Sequence, residues 1–287
     1  MMKLAFNLFK LRIGIVIAIT AVAGWAVTPG AAAGGELLIL ALSVLVASAA
    51  AGAFNQYAER DLDARMGRTR ARPFVSGALR HGVHWLWLIG AMVLGAVLAA
   101  AAAVNAIAAL YVFLGAFFYA IVYTVWLKRR TWMNIVIGGC SGSFAVLAGS
   151  SAVTPALSPE ALALAFVLFL WTPPHFWSLA IAYRDDYANA GVPMLPVVIG
   201  NRRCALAIFW STVALVFASL VPAYFSLGWI YACSALAGGG YLLWTSVALL
   251  REPTRRRAMI NFHASLVQLS VLLVAAMIDP ALHAAGA

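Results

Sequence analysis

The sequence predicts an all-α, polytopic membrane protein, one domain over residues 1–287 with nine transmembrane helices, and three observations carry that expectation. Hydrophobic residues occupy 64% of the 287 positions and charged residues only 10%, whereas a soluble domain uses about a quarter charged residues to cover its surface. Apolar runs close to the roughly 20 residues that cross a bilayer recur from end to end, with no polar stretch long enough for a separate soluble domain. The basic residues gather in alternate loops, as cytoplasmic loops do in membrane proteins.

The runs fall at 13–28, 37–57, 84–104, 106–127, 134–152, 161–183, 204–226, 229–250 and 258–279. The first is the shortest and stops at Pro29-Gly30. Its basic start, apolar run and Ala31-Ala32-Ala33 imitate a cleaved secretory signal. Its near-span length and the eight runs that must orient after it favour retention.

Nine spans place Lys3, Lys10 and Arg12 before the first and six arginines from Arg60 to Arg80 between the second and third. Lys128, Arg129 and Arg130 follow the fourth; Arg184, Arg202 and Arg203 follow the sixth; Arg251 and Arg255 to Arg257 follow the eighth. All 19 lysines and arginines then share one side, opposite loops that hold only Glu36, Glu160 and Asp279. The N-terminus is expected in the cytoplasm and the C-terminus in the periplasm. The net charge of +10 thus follows from topology, and nucleic acid is not an expected partner. Cys140, Cys204 and Cys233 lack the paired spacing of a disulfide framework or a zinc site and read as small packing residues.

The second run closes in Asn55-Gln-Tyr-Ala-Glu59-Arg-Asp61-Leu-Asp63. Helical spacing puts Asn55, Glu59 and Asp63 on one stripe and turns Asp61 elsewhere. Stacked oxygen donors repel unless a cation sits among them, and Mg²⁺, which is usually shared with phosphates, suits them. Alternatively the stripe is a solvated helix end, Glu59 pairing with Arg60 and Asp63 with Arg65. Arg68 and Arg72 follow, and guanidinium groups grip phosphate oxygens in a fork; the same loop could equally serve topology alone. After the fourth run, Lys128 and Arg129 suit a diphosphate or act as interfacial anchors beside Trp126 and Trp132, and Asn134 can add an oxygen or amide from the next helix start. Pro173 and Pro174 in the sixth run break the helical ladder and tend to line a cavity. His175 beside them reads either as a packed core histidine or as a ligand to a haem iron. Asp185 and Asp186 form a second acidic pair on the basic side.

Together these residues resemble the UbiA intramembrane prenyltransferase superfamily. The acidic stripe followed by Arg68-Thr69-x-x-Arg72-Pro73 is similar to its first motif. Tyr123-Thr124…Leu127-Lys128-Arg129…Asn134, and Trp171-Thr172-Pro173-Pro174-His175-Phe176-Trp177 with Asp186-Tyr187 and Pro193-Met194-Leu195-Pro196, resemble its protohaem IX farnesyltransferase (haem O synthase) branch. The likeness runs from about residue 8 to 275. Leu11 and Ala145 stand where that branch has proline, and Glu59 where it has aspartate; the Glu59 carboxylate is retained. The second acidic motif lacks the D-x-x-x-D spacing of other branches.

The resemblance implies nine helices around a cavity open to the cytoplasmic face, in a bacterial inner membrane. It implies Mg²⁺ on Asn55, Glu59 and Asp63 with Asp186. Lys128, Arg129, Arg68 and Arg72 would take the diphosphate of farnesyl diphosphate, and Tyr123, Asn134, His175, Asp185, Asp186 and Tyr187 would contact substrate. Haem B is the implied acceptor, with haem A synthase or terminal oxidase assembly as an implied contact. A prenyltransferase with an aromatic acceptor shares the first motif but not the Trp171–Trp177 stretch. A transporter predicts ionisable residues at mid-bilayer, whereas the acids here cluster at one face.

Overall fold

A computed structural model of the chain describes residues 2–30, 34–225 and 227–286; Ala31-Ala32-Ala33, which imitate a cleavage site, lie outside the described residues. Among the described residues the regular structure is entirely helical. The main helices are α1 (Leu11–Ala26), α2 (Gly34–Ala58), α3 (His84–Ala103), α4 (Ala106–Leu127), α5 (Asn134–Ser151), α6 (Pro159–Ala182), α7 (Asn201–Phe225), α8 (Trp229–Arg251) and α9 (Arg255–Leu282). The last eight are long and apolar enough to cross a membrane; α1 has 16 residues. Each predicted run coincides with one of these helices, because hydropathy over a span-length window is a local property.

Local chemistry sets the ends. Asn105 caps α4 by accepting from Ala108 N, and Ser158 caps α6 by accepting from Ala161 N ahead of Pro159. Apolar side chains such as Leu42, Leu98, Phe166 and Phe217 face outward, a surface suited to lipid rather than water.

In the bundle α1 packs on α2, α5 and α9, and α6 on α5, α7 and α9. Without a hydrophobic driving force in lipid, such contacts rely on small residues and hydrogen bonds. At the α1–α5 crossing a Cβ on Gly24 would overlap the Val146 carbonyl, and one on Gly149 the Ala21 carbonyl. Thr28 Oγ1 donates to Ser150 Oγ at 2.9 Å at the same crossing. On the other side Asn261 of α9 donates to Ser178 Oγ of α6 (2.9 Å) and accepts from Thr245 and Ser246 of α8 (2.7 and 3.0 Å). Short helices Arg60–Ala64, Pro73–Ser76, Arg184–Asn189 and Leu195–Ile199 crowd the end at which α2, α4 and α6 finish.

Candidate functional site

Glu59 leaves helical geometry (φ −100°, ψ 14°) and ends α2, and a new short helix begins at Arg60. The ladder nevertheless continues, Glu59 N donating to Asn55 O (3.0 Å) and Asp63 N to Glu59 O (2.8 Å). Asn55, Glu59 and Asp63 therefore stay one turn apart, all at most 2% exposed. Asp61 turns outward to the exposed Arg129 fork (2.7 and 2.8 Å), whose hydrogen bonds hold its carboxyl below the usual carboxylate range.

The buried acids do not pair with Arg60 and Arg65. Glu59 Oε2 receives Lys128 Nζ at 2.6 Å, and both Asp63 oxygens receive Arg72 Nη1 at 2.7 and 2.8 Å. Lys128 arrives there because α4 widens into a π-helix over Phe118–Leu127, its N–H donating to Tyr123 O five residues back (2.9 Å). Such widened turns concentrate at functional sites. Glu59 Oε1 is buried with no partner.

Asn55 Oδ1 accepts Lys10 Nζ at 2.6 Å, and Asn55 Nδ2 donates to Thr124 Oγ1 at 3.1 Å. Lys10 Nζ also donates to Tyr119 OH at 3.0 Å. Lys10 is the one non-glycine residue at positive φ (48°) among the described residues, a backbone state that costs about 1–3 kcal/mol and persists where surroundings over-determine it. Neither Lys10 nor Tyr119 stood out in the sequence. Lys10 read as one more topogenic charge, and its turn toward Asn55 depends on a tertiary contact.

These groups wall a cavity of about 730 Å³. Its lining combines the cations Lys10, Arg12, Arg68, Arg72 and Lys128 with the rings of Tyr119, Tyr123, Tyr187, His175, Phe176 and Phe262, and Lys128 Nζ lies 5.5 Å from the Tyr123 ring centre. Glu59 and Asp63 lie behind the lysine and arginine that pair with them, so the wall presented is cationic. Lys10, Ile13 and Tyr119 also line an adjoining, smaller apolar slot of about 140 Å³ between α1, α2, α4 and α5. Its walls are mostly small: Ala47, Ala51, Gly115, Ala116, Ala145 and Ala148.

The second acidic pair divides. Asp186 accepts the Gly67 and Arg68 N–H groups at 3.2 Å each, clamping the loop that carries Arg68, whose guanidinium lies over Tyr183 (5.3 Å). Asp185 is exposed, 3.8 Å from Arg184, and stands off the cavity wall. Arg129 also stands off it. Asn134 is fully buried, its Nδ2 donating to the Thr131 carbonyl while Oδ1 has no partner. Tyr187 is buried on the wall; burial raises its hydroxyl pKa and Arg68 opposes the rise.

Among the described residues no three acidic, histidine or cysteine groups converge as a ready metal cage. The orphaned Glu59 oxygen, Asn55 Oδ1 and the Asp63 carboxylate are hard donors along one stripe, and they fit Mg²⁺ arriving with phosphates rather than held alone.

Burial, then the Arg72 charge, lowers the Lys10 pKa to about 7 against the opposing pull of Glu59. Lys10 is thus charged below that pH and loses its charge as pH rises through it. Pyrophosphate binding, followed by calorimetry with Mg²⁺, is expected to lose about tenfold in affinity on the alkaline side relative to Lys10→Arg, since charge-assisted hydrogen bonds contribute about 1.5–3 kcal/mol. Parallel pH profiles for the two proteins would remove Lys10 from the anion site.

The signature of the UbiA prenyltransferase family matches residues 15–272. The chain is 56% identical over 282 residues to Protoheme IX farnesyltransferase 2 of Paramagnetospirillum magneticum, covering 98% of both chains. It is 47% identical to Protoheme IX farnesyltransferase 1 of the same organism, covering 95% of this chain and 96% of the other. Among solved structures, a UbiA homolog from Archaeoglobus fulgidus bound to GPP and Mg²⁺ superposes with a TM-score of 0.69 at 16% identity, covering 94% of this chain and 99% of that one.

Proposed function

The chain belongs to the UbiA prenyltransferase family, and from that membership we propose its reaction: transfer of a farnesyl group from farnesyl diphosphate to a vinyl group of haem B, giving haem O and diphosphate. The observation that carries the donor side is the neck at Lys10 and Tyr119, where a cationic wall meets an apolar slot. A diphosphate with a greasy tail needs both surfaces at that spacing. Likeness to protoheme IX farnesyltransferases over nearly the whole chain supports the acceptor.

In this reading the tail enters the slot and the diphosphate meets Lys10, Arg68, Arg72 and Lys128, while Arg129 and Asp185 act from outside the cavity. Magnesium, bound with the diphosphate, neutralises charge that builds on the leaving group. Asn55, Glu59 and Asp63 would hold it, with Lys128 and Arg72 turning from their carboxylates to the phosphate oxygens. Asp186, given to the metal by resemblance, instead fixes the Arg68 loop. Cations aimed at the departing oxygen act where charge develops, the largest single contribution in many enzymes. The C1–O bond of farnesyl diphosphate breaks with its electron pair leaving on diphosphate. The haem vinyl π electrons then form the new C–C bond, and water adds to the resulting benzylic-type cation, losing a proton. The aromatic wall, including Tyr123 and Tyr187, shields the allylic cation from bulk water. Asn134 supports the start of α5 from behind this wall.

The multi-pass chain acts, on this reading, as one transmembrane unit of the bacterial inner membrane with its cavity toward the cytoplasm. Purified protein with haem B, farnesyl diphosphate and Mg²⁺ is expected to yield a heavier, more retained haem on chromatography with mass detection. Absence of any new haem species, with prenylation of an aromatic acid instead, would transfer the acceptor to another class.

A further inference from the structure

The aromatic part of the cavity lining holds a group that the chemistry above leaves unused. His175 lies directly after Pro174 in α6, its ring stacked between Trp171 (centroids 4.1 Å apart, 19° between planes) and Phe262 of α9 (4.4 Å, 27°). Its Nδ1 is 2.7 Å from Ser265 Oγ. The Ser265 hydroxyl donates its hydrogen to the Phe262 carbonyl at 2.7 Å. A hydroxyl has one hydrogen to give, so Ser265 Oγ must accept from the imidazole and Nδ1 must carry the proton. Nε2 therefore keeps its lone pair. Among the described residues Nε2 has no hydrogen-bond partner, and the half-buried ring lines the cavity.

The surroundings fix this arrangement. Trp171 Nε1 donates to the Ser265 carbonyl at 2.8 Å. One turn earlier, Asn261 ties α9 to α6 through Ser178. Tilting the ring loses two stacking faces, and flipping it loses the Ser265 hydrogen bond. An imidazole with its Nδ1–H held and its Nε2 left without a partner is how proteins present histidine to metals.

We propose that His175 Nε2 is the protein ligand to the iron of the haem acceptor and that Ser265 is a positioning residue that sets its tautomer. The proposal rests on haem as acceptor. An iron bound along the lone pair lies in the imidazole plane, so the porphyrin stands across that plane, in the cavity that the cationic wall also borders. Axial imidazole coordination is available to haem iron in either oxidation state.

The test uses the full chain in detergent with added haem B and no farnesyl diphosphate. Absorption and electron paramagnetic resonance spectra are expected to show nitrogen ligation in the unchanged protein. His175→Gly is expected to lose that signature and to regain it on adding free imidazole. Ser265→Ala is expected to retain ligation with a shifted spectrum, because the tautomer is no longer imposed. Should the glycine variant not fold, ¹⁵N-histidine labelling of the unchanged protein gives the answer through nitrogen hyperfine coupling. An unchanged spectrum in His175→Gly, or no histidine coupling in the labelled protein, overturns the proposal. Haem O formation by the unchanged protein, measured separately, tells failure of this ligand from failure of the farnesylation reading.

Discussion

Glu59→Gln is expected to lower turnover by about 10³-fold or more while the protein still folds. Removing one group that stabilises developing charge costs about 10²–10³ in other enzymes, and Glu59, the proposed metal donor, also anchors Lys128. The amide keeps an oxygen for Lys128 Nζ, so the buried ammonium retains an acceptor. Glu59→Ala is harsher: it leaves Lys128, only 8% exposed, without its carboxylate, and breaking a buried pair costs about 3–5 kcal/mol. The pair of variants therefore separates chemistry from folding. Single-turnover assays with size-exclusion profiles check the outcome. A glutamine variant within tenfold of the unchanged rate would mean that the carboxylate holds no metal in the reaction.

Gly149→Val is expected to be the most damaging substitution far from the chemistry. Its Cβ would overlap the Ala21 carbonyl of α1, and backbone cannot swing away as a side chain does. Overpacking typically costs about 1–3 kcal/mol and more where nothing can move. Here α1 must lift off α5, taking with it Lys10 and the closure of the apolar slot. Gly142→Ala, where added carbon meets open space, is the matched control and is expected to be neutral or slightly stabilising. Thermal unfolding in detergent measures both. A valine variant melting within about 2 °C of the unchanged protein would show that the crossing is looser than it looks.

Much of this architecture is legible before folding because its signals are short-range. Span-length hydropathy and the one-sided placement of basic residues need no knowledge of neighbours. Helical spacing likewise puts Asn55, Glu59 and Asp63 together and sends Asp61 away, as the structure has them. Partner choice is not legible that way. Glu59 and Asp63 ignore the adjacent Arg60 and Arg65 for Lys128 and Arg72, because only the packed bundle brings those cations to the buried face. Lys128 depends further on the widened turn of α4, which no apolar periodicity announces. Lys10 was hidden by its position: a cation before the first span always reads as an orienting charge. Arg129 looked equal to Lys128 in sequence, yet one residue of helical rotation turns it to Asp61 and off the cavity, while Asp185 turns to Arg184 and Asp186 to the Arg68 loop.

The lysine and arginine that sit on the two buried carboxylates have a consequence for biogenesis. Domains built around structural zinc stay unfolded until the ion arrives. Here the chain supplies its own counterions, so insertion and folding need not wait for a divalent cation. With the proposed magnesium dependence, chelation should then silence the enzyme without dismantling it, and a cell starved of magnesium would accumulate an intact, idle pool that resupply restores at once.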